Sequence, residues 1–586
     1  MATEKLGNKP KAKVAKKTQD NKDNIRLSLE KWEEKVRQPT LVKKPERKRE
    51  FRTLSDFPVK PLYTPLDVDG IDYLKDIGFP GQYPFTRGQM PNGYRSHDFT
   101  LSYYSGFGRS ESANERFREL VARGATTVNA AADLPTQLGY DSDDPFAEGE
   151  VGKVGVPLAS LLDAERLYDG IDVTKVSMSF GVCNCVSPYA LSLLLAVAEK
   201  RGLAPEDLPT VRQQNDPLKE YSGRDTYIFP VPIAIELATD VREYMCRDLQ
   251  EKRPGQIVPG FVCTTQLSWC GIGAAQELGF ALAHFVAYID SALSRGLSLE
   301  EFVPKMDWHA GCDLDIFQEA AKFRAGRRLF ARLIKERYHC NDPKVQGLRS
   351  TAWISSQRMT AQQPLNNLCR ITMEVLAGIL GGLESIAIPG YDEALALPTE
   401  ESTRIANMTK FIINHECGLE NTVDPMGGSY YLERLTSQIE EEAQYWFEKI
   451  EDMGGAVAAA ERGFHYQEEL KGLHRYRKEV TTGERFIIGI NKFYIEEEKP
   501  PEIFQIDPRD AQIQIERLKR LREERDNSLV RQKLERLGEV AVQKDKDNKV
   551  NIVPATLEAV KAYATVGEIH SIMRKVFGEF KPPTDL

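Results

Sequence analysis

Between about residue 70 and residue 428 the chain alternates short apolar or mixed runs with longer stretches of helical period. Val176-Ser177-Met178-Ser179-Phe180 precedes 188–200, where apolar side chains recur at helical spacing. Ile257-Val258-Pro259-Gly260-Phe261-Val262 leads through a polar segment into 274–293, and 304–309 precedes 317–336. Strand-like runs alternating with helical ones predict βαβ units and a parallel sheet. The length of the region suits an α/β fold of the (β/α)8 TIM-barrel type. A doubly wound sheet is the rival, but no G-x-G-x-x-G follows an early strand and no P-loop is present. The predicted strands and their ends carry small polar residues: Thr126, Thr127 and Asn129; Ser177 and Ser179; Cys263, Thr264 and Thr265. An ordinary barrel fills its interior with Val, Ile and Leu. These residues either line the axis, leaving room for an extended polar ligand, or sit at strand ends and face helices. The pattern leaves both open.

Beyond about residue 429 the period becomes helical and dense in Glu, Arg and Lys, over 433–454, 456–476 and 511–537. No constellation for chemistry stands out there. The chain therefore divides into a basic N-terminal arm (1–60), a barrel (61–430) and a helical C-terminal extension (431–586). The arm carries Lys9, Lys11, Lys13, Lys16 and Lys17 and reads as a disordered, soluble tail. A short helix is expected from Leu27 through Leu29 and Trp32 to Val36. No aromatic residues interleave with the lysines as a base-stacking surface requires, which argues against nucleic acid.

Composition narrows the classes further. Of the 586 residues 41% are hydrophobic and 28% charged, with a net charge of −9, as in a soluble globular protein. No window approaches about eighteen uninterrupted apolar residues, so no membrane span is expected. No apolar core follows the first lysines, which excludes an ordinary secretory signal. Nine irregularly spaced cysteines suggest free thiols in a reducing, cytoplasmic setting. Cys183 and Cys185 match no zinc pattern, and no metal site is expected.

One segment is more specific: Gln214-Asn215-Asp216-Pro217-Leu218-Lys219-Glu220-Tyr221-Ser222-Gly223-Arg224-Asp225-Thr226-Tyr227-Ile228-Phe229-Pro230. Read alone, Arg224 is an arginine at a helix end, solvated or paired with Asp225. In company, the segment resembles the adenosylcobalamin-dependent acyl-CoA mutases, the family of the methylmalonyl-CoA mutase large subunit. Further stretches join the match in order: Phe79-Pro80-Gly81-Gln82-Tyr83-Pro84-Phe85-Thr86-Arg87-Gly88, Tyr104-Ser105-Gly106-Phe107-Gly108 and Asp133-Leu134-Pro135-Thr136-Gln137-Leu138-Gly139-Tyr140-Asp141-Ser142-Asp143. Ala321-Lys322-Phe323-Arg324-Ala325, Met359-Thr360-Ala361-Gln362, Asp392-Glu393-Ala394-Leu395-Ala396-Leu397-Pro398-Thr399, Val423-Asp424-Pro425, Gly489-Ile490-Asn491-Lys492 and Ala564-Thr565-Val566-Gly567-Glu568 continue it.

The resemblance implies a barrel whose polar axis threads the pantetheine arm of coenzyme A. It implies a radical carbon-skeleton rearrangement started by cobalt–carbon homolysis of adenosylcobalamin. Tyr104 falls on the tyrosine that abuts substrate and adenosyl group. Arg224 falls on the carboxylate-binding arginine, Gln214 on a pocket glutamine, and Thr100 and Ser102 on positions beside the coenzyme A phosphates. Leu134, Gln137 and Trp353 are placed toward the cofactor. Retention of Tyr104 and Arg224 implies a dicarboxylic acyl-CoA. A guanidinium is permanently charged, and its planar fork of donors matches a carboxylate. The cobalt-ligating D-x-H-x-x-G is not found; Asp307-Trp308-His309-Ala310-Gly311 has its glycine one position early. A separate small cobalamin-binding subunit, and hence a hetero-oligomer, is expected.

Several positions depart from the family pattern. The pocket histidine becomes Gln266 and its preceding tyrosine Thr265; Arg212 replaces a small residue; His97 and Ser102 replace arginines, with Arg95 nearby. Glutamine donates one hydrogen bond but is no acid near neutral pH. Threonine for tyrosine enlarges the site. Together these favour a bulkier alkyl- or aryl-bearing succinyl- or malonyl-CoA. The alternative is a non-catalytic paralogue that binds acyl-CoA or serves in assembly.

Overall fold

The computed structural model describes residues 9–96, 100–101, 104–181, 183–249, 257–496 and 502–583, with backbone alone for 9–18, 100, 101 and 104. Within these residues ten strand pieces form two five-stranded parallel sheets. Two pairs of pieces belong to single stretches, so eight strand positions follow. They are β1 (Thr100–Leu101 and Tyr104–Ser105), β2 (Thr127–Ala131), β3 (Ser177–Gly181), β4 (Val211–Gln213), β5 (Ile257–Val258 and Phe261–Cys263), β6 (Asp307–Cys312), β7 (Arg349–Ile354) and β8 (Ser385–Ala387). The first piece of β1 pairs with β8 and the second with β2. Likewise the first piece of β5 pairs with β4 and the second with β6. The two sheets thus share β1 and β5 at their edges, which gives a cyclic order of eight with helices between successive strands. This is the (β/α)8 arrangement expected from the alternation.

The strand period resolves the question left by the small polar residues. Thr127 and Asn129 of β2, Ser179 of β3 and Cys263 of β5 line an axial cavity. The intervening Val128, Ala130, Met178, Phe180 and Val262 are buried among the surrounding helices. Alternate side chains of a strand face opposite ways, so polar groups occupy the axis and apolar ones the outer layer. Thr126 is exposed ahead of β2, and Thr264 turns outward to donate to Glu277 at 2.9 Å.

The C-terminal extension packs against the outer helices of this assembly. The helix Ala274–Ser294 is apolar almost all round because it lies between the barrel and the helix Tyr430–Asp452. A Cβ at Gly279 would lie 2.6 Å from the Ala443 carbonyl oxygen, so glycine is what lets the two backbones approach. The expected helix 456–476 is broken into Gly455–Glu461 and Phe464–Thr482 where Gly463 takes φ 65°. The expected helix 511–537 is broken into Arg509–Glu524 and Asn527–Lys546, because Asp526 caps the second by accepting from Ser528 and Leu529 backbone N–H. Val553–Lys561 and Val566–Phe577 complete the extension.

The arm corrects the expectation of disorder. It forms a helix over Lys9–Trp32 that continues through Glu33–Arg37 into Gln38–Lys43. None of its described side chains is buried, and Lys22 pairs with Asp69 at 2.5 Å across an exposed surface. Lysine, alanine and glutamine are good helix formers, so propensity rather than packing accounts for it. Among the described residues no helix is long and apolar enough to cross a membrane.

Candidate active site

The Gln214–Pro217 segment is first of all a buried lock. Asn215 sits in the left-handed region (φ 50°) and donates to the Ala238 and Pro259 carbonyls at 2.8 and 2.9 Å. Asp216 accepts from the Tyr288 hydroxyl and, at 2.5 Å, from the Cys263 N–H. Burial pushes the Asp216 carboxyl up to about 6, against these bonds and the nearby Lys219 and Arg242 cations. These contacts bind the end of β4 to β5 and to the surrounding helices. As a result Gln214 lines the axial cavity, and the helix Leu218–Gly223 runs across the C-terminal end of the strands to finish at Arg224.

Arg224 lies at that mouth with its side chain 20% exposed and its Nη1 3.7 Å from Glu220 Oε2. Glu220 is already served by others: Asn184 and Thr226 donate to it, and Lys219 Nζ is 3.1 Å from Oε1. Burial would raise the Glu220 carboxyl, but Lys219 and Arg224 outweigh it and hold the group below the usual carboxylate range. Arg224 Nη1 is buried with no hydrogen-bond partner. The guanidinium therefore keeps donors for a further anion.

Gln266 is the other polar group at the mouth. It opens the short helix Thr265–Trp269 and lines the axial cavity of about 160 Å³ with Gln214, Cys263, His309, Thr351 and Trp353. A Cβ at Gly223 would meet Gln266 Cβ at 3.3 Å, which places the glutamine beside the Arg224 helix end. Thr265 is buried and donates to the His309 carbonyl at 3.2 Å. Its hydroxyl is thus spent on β6, and no ring occupies the position. Trp353 meets Trp269 edge to face at 6.2 Å.

The opposite end of the cavity is charged. Arg212 Nη2 lies 2.6 Å from Asp307 Oδ2, and Arg349 Nε lies 3.2 Å from Asp307 Oδ1. The Arg212 guanidinium also covers the Phe261 ring at 4.9 Å. His309 hydrogen-bonds Thr351 Oγ1 through Nδ1 at 2.8 Å. Burial, with Arg212 and Lys219 nearby, drives its imidazole down to about 3, so it is neutral. Glu384 borders the same region, and burial raises its carboxyl to about 7.

The remaining expected residues are more scattered. Tyr104 pairs through its backbone with Asn129, and Thr100 with Ser385, in β1. Ser102 lies outside the described residues. Leu134 and Gln137 form the short helix after β2, capped by Asp133, and Gln137 donates to the Ala132 carbonyl at 2.7 Å. The structure adds Glu469, which the helix Phe464–Thr482 brings beside Gly223, and the Asp307–Arg349–Glu384 group. Glu469 gave no sequence signal, because Glu468 and Lys471 around it read as an ordinary solvated helix face. Among the described residues no group of three or more His, Cys, Asp and Glu side chains converges as a metal site.

A family model described as methylmalonyl-CoA mutase matches residues 52–579. The 2-hydroxyisobutanoyl-CoA mutase large subunit of Aquincola tertiaricarbonis is 36% identical over 561 residues, covering 96% of this chain and 98% of that protein. The methylmalonyl-CoA mutase of Rhizobium meliloti (strain 1021) is 35% identical over 531 residues, covering 90% of this chain and 73% of the relative. The mitochondrial methylmalonyl-CoA mutase of Homo sapiens is 35% identical over 532 residues, covering 91% and 69%.

Proposed function

The chain belongs to the methylmalonyl-CoA mutase family, and from that premise we propose that it is the large subunit of an adenosylcobalamin-dependent mutase acting on a carboxylate-bearing acyl-CoA. The acyl group is of the methylmalonyl or succinyl type with a bulkier alkyl or aryl substituent. One observation carries this reading: Arg224 stands at the barrel mouth with an Nη1 that makes no hydrogen bond, 3.7 Å from a Glu220 that other groups satisfy. The coenzyme A arm follows the polar axis past Asn129, Ser179 and Gln214, the substrate carboxylate meets Arg224, and Gln266 donates to the acyl group. Thr265 supports the larger substituent, since it leaves open the space that a ring would take.

Adenosylcobalamin supplies the radical that starts the rearrangement. The residues at the mouth fit its adenosyl part: the edge-to-face pair of Trp269 and Trp353 offers an apolar wall, and the buried Trp269 Nε1 has no partner. This chain's part is to bind and orient the acyl group and to exclude water, since the cofactor brings the hard chemistry. A second, small subunit holds the cobalamin, as the name "large subunit" of the Aquincola relative suggests. The exposed Phe486, Phe493, Tyr494 and Ile495 lie on a segment tied to the loop after β7, where Gln363 donates to the Phe493 carbonyl at 2.8 Å. They offer an apolar surface for that subunit.

The test measures turnover of methylmalonyl-, succinyl- and alkylsuccinyl-CoA by the chain mixed with its cobalamin-binding subunit. Fastest turnover on an alkyl-substituted substrate is expected. Preference for methylmalonyl-CoA would remove the size argument, and no turnover of any acyl-CoA would favour a non-catalytic role.

A further inference from the structure

The helix Phe464–Thr482 crosses the C-terminal end of the barrel and turns Glu469 toward Gly223. Glu469 is 5% exposed, and its Oε1 is buried without a hydrogen-bond partner. A Cβ at Gly223 would lie 3.4 Å from that oxygen and 3.3 Å from Gln266 Cβ. Glycine therefore keeps open a gap with the acid on one side and Gln266 on the other. Gly223 and Gln266 are themselves half-buried, so the gap borders the barrel mouth rather than the closed core.

The groups facing Glu469 leave it protonated. Asp225 faces it from the loop after Arg224, and the Cys270 thiol from the end of the helix Thr265–Trp269. On its own helix, Glu468 is occupied by Lys471 at 2.8 Å and by Gln276 at 3.0 Å. Burial and then the Asp225 carboxylate push the Glu469 acid up to about 9, against the bond with Cys270. A carboxylic acid that keeps its proton has one O–H to donate.

We propose that Glu469 is a neutral hydrogen-bond donor of the acyl pocket, working beside Gln266 on the uncharged carbonyl oxygen of the acyl thioester. The proposal rests on the acyl-CoA reading above. No proton is transferred; the O–H stays on Glu469 and polarises the carbonyl. The arrangement separates two oxygen-bearing ends of one substrate, the carboxylate going to the Arg224 cation and the carbonyl to the neutral acid. An ionised Glu469 would repel the first and accept nothing from the second.

Equilibrium binding to the full chain tests this, comparing succinyl-CoA with the matching thioether, in which a methylene replaces the carbonyl. Wild type should hold the thioester at least about tenfold more tightly near pH 7, the size of one buried hydrogen bond, and should lose about that factor near pH 10. Glu469→Gln should keep the advantage at both pH values, and Glu469→Ile should cut it about tenfold, leaving what Gln266 contributes. An unchanged advantage in a folded Glu469→Ile, judged by circular dichroism and melting, overturns the proposal. Should that variant not fold, wild type against Glu469→Gln decides, and a pH-independent advantage in wild type overturns it. Wild type that binds neither ligand overturns the acyl-CoA reading instead.

Discussion

The two ends of the axial cavity both hold buried ionisable groups, yet they are wired differently. At the lower end Arg212 and Arg349 share the Asp307 carboxylate, with Glu384 beyond. At the upper end Arg224 leans on a Glu220 that other residues have satisfied, and Glu469 has an oxygen that nothing answers. Burial and charge are common to both. What separates the two ends is how closely the cations are answered: Arg212 and Arg349 lie 2.6 and 3.2 Å from Asp307, whereas Arg224 is 3.7 Å from a Glu220 that other groups have satisfied.

The contrast can be broken at its strongest point first. Asp307→Asn should destabilise the fold by about 3–5 kcal/mol, the usual loss when one partner of a buried ion pair is removed. Urea unfolding measures it, and a loss below about 1 kcal/mol would show that the lower layer does not hold the bore. Arg224→Gln should instead leave the urea midpoint nearly unchanged while weakening a carboxylate-bearing acyl-CoA by about 2–5 kcal/mol. The corresponding monocarboxylic ester should hardly notice. Equal losses for both ligands would remove Arg224 from carboxylate recognition. Gln266→Ala should cost about 1–3 kcal/mol in kcat/KM with the cobalamin subunit present; an unchanged kcat/KM would assign the glutamine to packing.

The smallest effect concerns pH. Glu469 has a folded value of about 9 against an ordinary 4.5, so between those values the unfolded chain ionises while the folded one keeps its proton. The folded state binds the extra proton, and stability from this group falls as pH rises through that window. Glu469→Gln should therefore melt progressively higher than wild type from pH 5 to pH 9, by about one degree per pH unit in a chain of this size. A constant difference across that range would mean that the acid is ionised in the fold.

Much of the architecture was legible because periodicity reports which face of an element is apolar. Val128 and Met178 face helices while Asn129 and Ser179 face the axis, and a strand's period of two displays that directly. The Gln214–Pro230 segment was legible as a motif, but its main labour was not: Asn215 and Asp216 fasten strand ends through bonds to residues 23 to 72 positions away. Glu469 and Asp307 were opaque for the same reason, since their partners come from distant parts of the chain. The arm misled in the other direction. Its lysines read as disorder, yet the charged run from Lys11 to Gln38, with no glycine or proline, is also a good helix former.

That arm has a consequence for handling the protein. A helix that fully buries no side chain, and is clipped down in part through the exposed Lys22–Asp69 pair, owes part of its docking to electrostatics that the medium can screen. The screening length shrinks from about 10 Å at 0.1 M salt to about 3 Å at 1 M. Ionic strength is thus a dial on the arm's attachment, one that concentrated salt turns down while the buried Arg212–Asp307 contact, sheltered inside the barrel, stays shut.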